Sequence, residues 1–174
     1  MIVLIYIAVI AMANVLTARI GALELFSGLL IIPAGSLLVG ATFIVRDFVQ
    51  IKYGKKSAYF SIGLAIVVSA AISFAAGDTV FIAGASAISF FLSETVDTEI
   101  FSRMKKTMLQ RVLASGTVGS VVDSTVFVLV GLSPIGGSLI AWESVIPAIV
   151  GQVLSKVLLQ LLAVGLFSLL IKER

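Results

Sequence analysis

Six long apolar segments make up most of this chain of 174 residues, and charged residues are concentrated between them. Hydrophobic residues form 60% of the sequence and charged residues only 12%. A soluble domain carries about 25% charged residues. Because a helix needs about 20 apolar residues to cross a bilayer, the length allows six short-looped spans and no separate soluble domain. We therefore predict an all-α membrane protein in which residues 1–174 form one bundle of six transmembrane helices.

Proline and glycine mark the boundaries between these segments. Pro33, Pro134 and Pro147 lie at or near segment starts, where a missing backbone N–H costs least. The stretch from Arg19 to Ile32 is apolar but too short for a span of its own. We expect it to form an interfacial or re-entrant segment that could cap a cavity. The six helices are expected at about 2–18, 34–51, 57–76, 79–102, 110–131 and 144–171.

Lysine and arginine are distributed asymmetrically between the loops. The loops after the second and fourth helices and the segment after the sixth are basic, whereas the opposite loops contain Asp78 and Glu143 and, apart from Arg19, no basic residue. The positive-inside rule then places both termini in the cytoplasm. We predict a multi-pass membrane protein with this orientation. The basic residues on the cytoplasmic side are Lys52, Lys55, Lys56, Arg103, Lys105, Lys106, Arg111, Lys172 and Arg174.

Histidine and cysteine are absent from the sequence. Their absence excludes disulfides, thiol nucleophiles, a histidine base and the usual zinc sites. We therefore expect no enzymatic activity, no cofactor and no resident metal. The net charge of +3 does not indicate nucleic-acid binding, because the basic residues lie in short loops and form no stripe with interleaved aromatic residues.

Carboxylates inside apolar helices are the strongest functional signal. An ionised group at the bilayer centre costs about 2.5–3.5 kcal/mol or more. Such groups persist where they face a protein-lined cavity, pair with a cation or contact a cargo, so transport of a polar solute is the leading hypothesis. Glu94 and Asp97 are three residues apart and share a helical face. They could share a proton or bind a cargo rich in N–H donors; the alternative is an ion pair with a basic residue on another helix.

The sixth helix carries a polar stripe formed by Gln152, Lys156 and Gln160. A buried lysine needs a counter-charge, and Asp123 in the fifth helix lies at comparable depth. This pair could lock the bundle or switch on binding. Glu99 lies four residues before Arg103, and we expect these two residues to form a structural ion pair at the cytoplasmic rim.

A pattern in the fourth helix recurs in the fifth at an offset of 26 residues. Ser89-x7-Asp97-Thr98-x2-Phe101 matches Ser115-x7-Asp123-Ser124-x2-Phe127. Consecutive helices cross the bilayer in opposite directions, so the match indicates an inverted repeat of the kind that builds midplane sites in transporters. Coincidence among small and apolar residues is the alternative.

Several motifs together resemble the vitamin uptake transporter family, whose studied members are queuosine precursor transporters. The most specific are Val96-Asp97-Thr98-x-Ile100-Phe101 and Arg111-x3-Ser115-x7-Asp123-Ser124-x2-Phe127. The others are Ala13-Asn14-Val15-Leu16, Pro33-Ala34-Gly35, and Asp47 followed by Tyr53-Gly54-Lys55-Lys56-Ser57-Ala58. The chain departs from the family pattern at Gln50-Ile51, where an acidic residue is usual, and at Arg46 before Asp47.

This resemblance implies a six-helix inner-membrane importer of 7-cyano-7-deazaguanine (preQ0) or 7-aminomethyl-7-deazaguanine (preQ1), which feed queuosine formation in tRNA. The residues fit such a cargo on independent grounds. A carboxylate can accept hydrogen bonds from the adjacent N1–H and NH2 groups, and the carbonyl needs a donor. We expect alternating access, with Asp97 and Asp123 contacting cargo, Glu94 tuning protonation and Lys156 neutralising the vacant carboxylate. The candidate binding residues are Asn14, Arg46, Asp47, Gln50, Glu94, Asp97, Asp123, Gln152 and Lys156, with Phe43, Phe90, Phe101 and Phe127 as candidates for stacking on the ring.

Two other functions fit parts of the pattern. A substrate-binding subunit of a vitamin importer, which needs a separate energising complex, is also a six-helix protein of this size. A cation-handling membrane protein could use the carboxylates as metal ligands. The expected partners are a small deazapurine and the lipid bilayer. The third helix carries a ridge of small residues, Ser61, Ala65, Ser69, Ser73 and Gly77. A second copy of the chain could pack against this ridge, or the ridge could pack within the bundle.

Overall fold

The computed structural model describes residues 1–25 and 30–172 and is an all-α membrane protein with one short β-hairpin. Each predicted helix is present, and the ends lie within about two residues of the expected limits, except that α5 ends four residues early and a π-helical turn covers the remainder. The helices are α1 (Ile2–Ile20), α2 (Ser36–Tyr53), α3 (Lys55–Ala75), α4 (Val80–Arg103), α5 (Met108–Phe127) and α6 (Trp142–Lys172). A π-helical turn, Val128–Leu132, continues α5.

Four of the described helices are long and apolar enough to cross a membrane. They are Lys55–Ala75, Val80–Arg103, Met108–Leu132 and Trp142–Gly165, and Ile2–Thr17 is a shorter apolar helix. Many large hydrophobic side chains on these helices are exposed, such as Phe60 and Val67 of α3. An apolar surface of this kind is expected where helices face lipid. Six spans with both termini in the cytoplasm remain a prediction.

The central helix of the bundle is α2, which packs against all five other helices. This position accounts for the charged residues Arg46 and Asp47 in the middle of an otherwise mostly apolar helix. Arg46 and Asp47 are buried inside the bundle, whereas Lys52 is exposed near the end of the helix. The buried polar residues of α2, such as Arg46, Asp47 and Gln50, therefore face protein and not lipid.

Residues 22–25 and 30–33 form an antiparallel hairpin, for which the sequence pattern predicts no strands. Strand β1 (Ala22–Leu25) pairs with β2 (Leu30–Pro33), with Leu23 opposite Ile32. Strand β2 packs against α6 and leads directly into α2. The expected interfacial or re-entrant segment is therefore a hairpin where it is described, and residues 26–29 of that segment lie outside the described residues.

The ridge of small residues on α3 faces the interior of the chain. Ser61, Ala65 and Ser73 are buried, and α3 packs against α1 and α4. Ser69 of the same ridge accepts a hydrogen bond from Asn14 of α1 at 2.6 Å. Of the two alternatives for this ridge, packing within the bundle is the one observed.

Candidate functional site

Arg46 lies at the centre of a buried group of three carboxylates. Its Nη1 atom is 2.9 Å from Oδ1 of Asp47, and its Nε atom donates to Oε2 of Glu94 at 2.9 Å. Its Nη2 atom contacts Oδ2 of Asp97. All four side chains are at most 1% exposed. The guanidinium group thus connects α2 to α4 by charge-assisted contacts.

Two further residues extend this group towards α1 and towards the end of α4. The Tyr6 hydroxyl of α1 donates to Oε1 of Glu94 at 3.0 Å. Gln50 accepts from Arg46 Nη1 at 3.0 Å, and its own amide donates to Ser102 Oγ at 2.7 Å. We call Tyr6, Arg46, Asp47, Gln50, Glu94 and Asp97 the Arg46 cluster.

The cluster bears on the interpretation of Glu94 and Asp97. The sequence suggested a shared proton or contact with a cargo, with an ion pair as the alternative, and Arg46 of α2 lies against both acids. The alternative, an ion pair with a basic residue on another helix, is the one observed. Seven residues of α2 follow Arg46 before the helix ends at Tyr53, which places Arg46 well inside the bundle and not at the membrane surface.

A second buried polar group surrounds Lys156 of α6. Its Nζ atom donates to Asp123 Oδ2 at 2.6 Å, to Ser124 Oγ at 2.9 Å and to Gln152 Oε1 at 3.3 Å. The predicted pairing of Lys156 with Asp123 is confirmed. Three partners thus accept hydrogen bonds from the three N–H donors of the ammonium group inside the bundle.

The Lys156 group forms part of the wall of a cavity of about 100 Å³, which is lined by residues from all six helices. Asn14, Phe90, Asp123, Phe127, Gln152 and Lys156 are the candidate binding residues that line it. The side-chain nitrogen of Gln152 is buried and has no hydrogen-bond partner among the described residues. An unpaired buried amide costs about 1–3 kcal/mol, and a ligand carbonyl could satisfy it.

The cavity lies towards the end of the bundle that carries the acidic loops. Thr17, Pro33, Gly35 and Asp78 line it, and these residues are at helix ends or in the connections at that end. The Arg46 cluster lies nearer the opposite end, where the basic loops are. If the positive-inside orientation holds, the cavity faces the outside and the cluster lies between it and the cytoplasm.

Phe43 lies between the two polar groups along α2. One turn before it, Gly40 packs so closely on α6 that a Cβ atom there would be 2.7 Å from the backbone oxygen of Lys156. Phe43 itself is fully buried, and its ring is 3.1 Å from where a Cβ atom on Gly119 of α5 would lie. Glycine at these two positions therefore allows α2 to pack tightly between α5 and α6.

The remaining candidates take other positions. Arg46, Asp47, Gln50, Glu94 and Asp97 belong to the Arg46 cluster and do not line the cavity. Phe101 is buried under the guanidinium group of Arg111, which lies 4.0 Å from the ring centre. Of the four stacking candidates, only Phe90 and Phe127 reach the cavity.

Glu99 forms a separate ion-pair group at the rim, as predicted. It lies 3.1 Å from Arg103 and 2.6 Å from Lys55, and it accepts a hydrogen bond from Tyr59 at 2.7 Å. Its side chain is 30% exposed, in contrast to the buried acids of the same helix. This partnership is structural and lies outside the cavity.

Sequence reasoning missed Tyr6 and Ser124 as members of the two polar groups. Tyr6 carries the only polar side-chain atom in the first half of α1, and that hydroxyl was the available signal. Ser124 follows Asp123 in the repeated motif, where Thr98 follows Asp97. Its role as a lysine partner becomes visible only when α5 and α6 are placed side by side.

Comparison with known proteins identifies the class. The family model described as "Putative vitamin uptake transporter" matches residues 33–170. Neither a curated protein nor a solved structure matches the chain. Because the match covers most of the sequence, the chain belongs to the vitamin uptake transporter family, as its motifs predicted. Its role is therefore transport and not catalysis, and its apolar helices make it a multi-pass membrane protein.

Proposed function

We propose that this protein imports a 7-deazaguanine precursor of queuosine across the cytoplasmic membrane as a secondary carrier. The favoured cargoes are 7-cyano-7-deazaguanine and 7-aminomethyl-7-deazaguanine. Family membership supports transport of a small solute, and the polar cavity supports this kind of cargo. One observation carries the proposal: a carboxylate, Asp123, and an unpaired amide donor on Gln152 line the same cavity.

The chemistry of the cavity matches one edge of a deazaguanine. Asp123 can accept hydrogen bonds from the adjacent N1–H and NH2 groups, and the amide nitrogen of Gln152 can donate to the neighbouring carbonyl. Phe90 and Phe127 supply aromatic surface for the flat ring. A site built from such groups discriminates strongly against analogues that leave its polar atoms unpaired.

The size of the cavity indicates how cargo is admitted. Small-molecule sites measure about 300–1,000 Å³, so the observed 100 Å³ is too small for a bicyclic base without rearrangement. Displacement of Lys156 from Asp123 would release the carboxylate for cargo. We propose that Lys156 neutralises Asp123 while the site is empty, which avoids an unpaired buried charge.

The proposed roles differ from the sequence-based ones in one respect. Asp97 and Glu94 were expected at the cargo site, but they belong to the Arg46 cluster and do not line the cavity. We therefore assign cargo contact to Asn14, Asp123, Gln152 and Lys156. The whole chain would act as one transporter domain in the inner membrane, with both termini in the cytoplasm.

Uptake by the purified protein in vesicles tests the proposal. Reconstituted alone, the chain should accumulate or exchange labelled 7-cyano- or 7-aminomethyl-7-deazaguanine. A substrate-binding subunit of a larger importer would bind the cargo and not move it. Asp123→Asn should reduce uptake at least about tenfold, the equivalent of one charge-assisted hydrogen bond.

Glu99→Gln is the matched control, because it removes a carboxylate at the rim and outside the cavity. Its uptake should remain close to that of the wild type. Absence of both binding and uptake of either deazaguanine would overturn the assignment of cargo. Normal uptake by Asp123→Asn would overturn the assignment of the site.

A further inference from the structure

We infer that the Arg46 cluster binds a proton at Asp47 and that this proton couples cargo uptake to the proton gradient. The inference rests on the proposed transport function. It concerns a site that is separate from the cavity and serves a different ligand.

The charge balance of the cluster requires a bound cation or proton. Three carboxylates, Asp47, Glu94 and Asp97, surround one guanidinium group, and all are at most 1% exposed. Among the described residues, Arg46 is the only basic group in an ion pair with any of them. Full ionisation would leave two uncompensated charges inside the bundle, which is very costly. At least one carboxyl group is therefore neutral.

Among the described residues, no other basic group forms an ion pair with the cluster; the charge of Arg111 acts on Asp47 from beyond ion-pair distance and reduces the imbalance without removing it. Arg111 of α5 donates to the backbone oxygen of Phe101 at 2.9 Å and stacks on its ring. Lys156 of α6 is held by Asp123, and Lys55 of α3 by Glu99. The titratable group from α1 is Tyr6, which is a hydrogen-bond donor to Glu94 and carries no positive charge.

Hydrogen bonding points to Asp47 as the carboxyl group that holds the proton. Both oxygens of Glu94 are engaged, one by Tyr6 and the other by Arg46. The buried oxygens of Asp47 and of Asp97 all lack a well-oriented hydrogen bond among the described residues. Asp97, however, lies against both Nη2 of Arg46 and the hydroxyl of Ser115. Asp47 has only Arg46 beside its Oδ1, so its Oδ2 is the least satisfied carboxylate oxygen of the cluster. An ionised carboxylate would leave strong acceptor positions on that oxygen empty in a dry environment. A proton on Oδ2 removes the negative charge, and an unpaired neutral O–H group costs less than an unpaired buried charge.

A proton fits the cluster better than a metal ion does. The guanidinium group of Arg46 already lies at the point where the three carboxylates meet. A metal ion placed among them would be repelled by this fixed positive charge at close range. Within the described part of the chain, no group of three or more acidic residues is arranged to hold a metal ion.

The charge of Asp47 affects the contact between α2 and α4, because both helices use Arg46. Arg46 is shared between Asp47 of its own helix and the two acids of α4. When Asp47 is protonated, the guanidinium group of Arg46 interacts mainly with Glu94 and Asp97 of α4. When Asp47 is ionised, it also attracts the guanidinium group, and the contact between α2 and α4 becomes weaker. The same helix contributes Gly40 to the close contact with Lys156, so a shift of α2 reaches the cavity wall.

Infrared difference spectroscopy of the protein in lipid vesicles tests the bound proton directly. At neutral pH the wild type should show the carbonyl band of a protonated carboxyl group, and Asp47→Asn should lose it. Glu99→Gln should keep the band, since Glu99 is held ionised by Lys55 and Arg103. Absence of the band from the wild type would overturn the inference, whether or not the protein transports.

If Asp47→Asn does not fold, Glu94→Gln provides the second variant. It keeps the shape of the side chain and removes one negative charge from the cluster, so the band should weaken or shift. A wild-type band that neither variant changes would show that the proton lies elsewhere and would contradict the inference.

Uptake of labelled 7-cyano-7-deazaguanine into vesicles tests the coupling, with the membrane potential clamped at zero. For one proton per cargo, an inward gradient of about one pH unit should drive about tenfold accumulation. Asp47→Asn should lose the response to the gradient. Exchange of cargo by the wild type without any response would overturn the coupling and leave the proposed function intact. Failure to move any cargo would overturn the proposed function, while the infrared band still decides whether the proton is bound.

Discussion

Asp97 and Asp123 occupy equivalent positions in a motif repeated at an offset of 26 residues, and each meets a buried basic side chain from another helix. The partner is Arg46 for Asp97 and Lys156 for Asp123. The surroundings differ, since Asp123 lines a cavity and Asp97 is enclosed in the Arg46 cluster. The repeat thus supplies two buried ion-pair positions: Asp123 serves the proposed cargo site, and Asp97 belongs to the cluster whose proton we place on Asp47.

Gln152 is expected to recognise the carbonyl group of the cargo. Gln152→Leu removes the unpaired amide donor, and it should reduce binding of a deazaguanine about tenfold. An analogue without the carbonyl should bind both proteins equally. Thermal-shift titration of the wild type and the variant with both compounds measures the difference. Equal losses for both compounds would show that Gln152 acts through packing alone.

Arg46 is expected to be essential for stability because three carboxylates depend on it. Arg46→Gln leaves them without a cation and should destabilise the protein by about 3–5 kcal/mol. Thermal unfolding in detergent measures this effect. Arg103→Gln is the matched control, since its side chain is 81% exposed and an exposed ion pair contributes only about 0–1 kcal/mol. Similar losses in both variants would contradict a special role for Arg46.

Gly40 is expected to set the distance between α2 and α6. A Cβ atom at this position would lie 2.7 Å from the backbone oxygen of Lys156, so Gly40→Ala must push the helices apart. We expect a loss of about 1–3 kcal/mol of stability together with weaker cargo binding. Gly63→Ala is the control, because a Cβ atom there meets nothing within 4 Å. Unfolding and binding assays on both variants make the distinction: a loss in Gly40→Ala alone indicates close packing, and equal changes in both variants indicate helix propensity.

The orientation in the membrane can be tested by labelling engineered cysteines, because the sequence contains no cysteine. An impermeant thiol reagent added to intact cells should label Glu143→Cys, which precedes most of α6 on the predicted outer side. Lys106→Cys, between α4 and α5, should be labelled only after the membrane is opened. The reverse pattern would place both termini outside and would show that the cavity faces the cytoplasm.

The helices were predictable from sequence because a helix that crosses lipid needs a long apolar run, and most charged residues lie in the short loops between these runs. The Lys156–Asp123 pair was also predictable, since a deep lysine must find a counter-charge at its own depth. The site as a whole was not. Asp97 and Asp123 look alike in sequence, and only the packing of α2 against its neighbours separates them into different surroundings.

Two features escaped sequence reasoning for identifiable reasons. Arg46 was named as a candidate binding residue, but its place among three acids depends on how α2 packs against α4, which the sequence does not show. The hairpin at residues 22–33 was not predicted because its strands are only four residues long and read as a short apolar run. Apolar runs of that length do not distinguish strand from helix by periodicity.

The contact of α2 with every other helix has a consequence for biogenesis. A segment carrying Arg46 and Asp47 partitions poorly into lipid by itself, and Arg46 meets Glu94 and Asp97 only after α4 has been synthesised. A nascent chain that stops before α4 should therefore hold this segment loosely, at the edge of the bilayer or in the insertion machinery. The second helix would then become stably inserted in the membrane only when the bundle is complete, and not through its hydrophobicity alone.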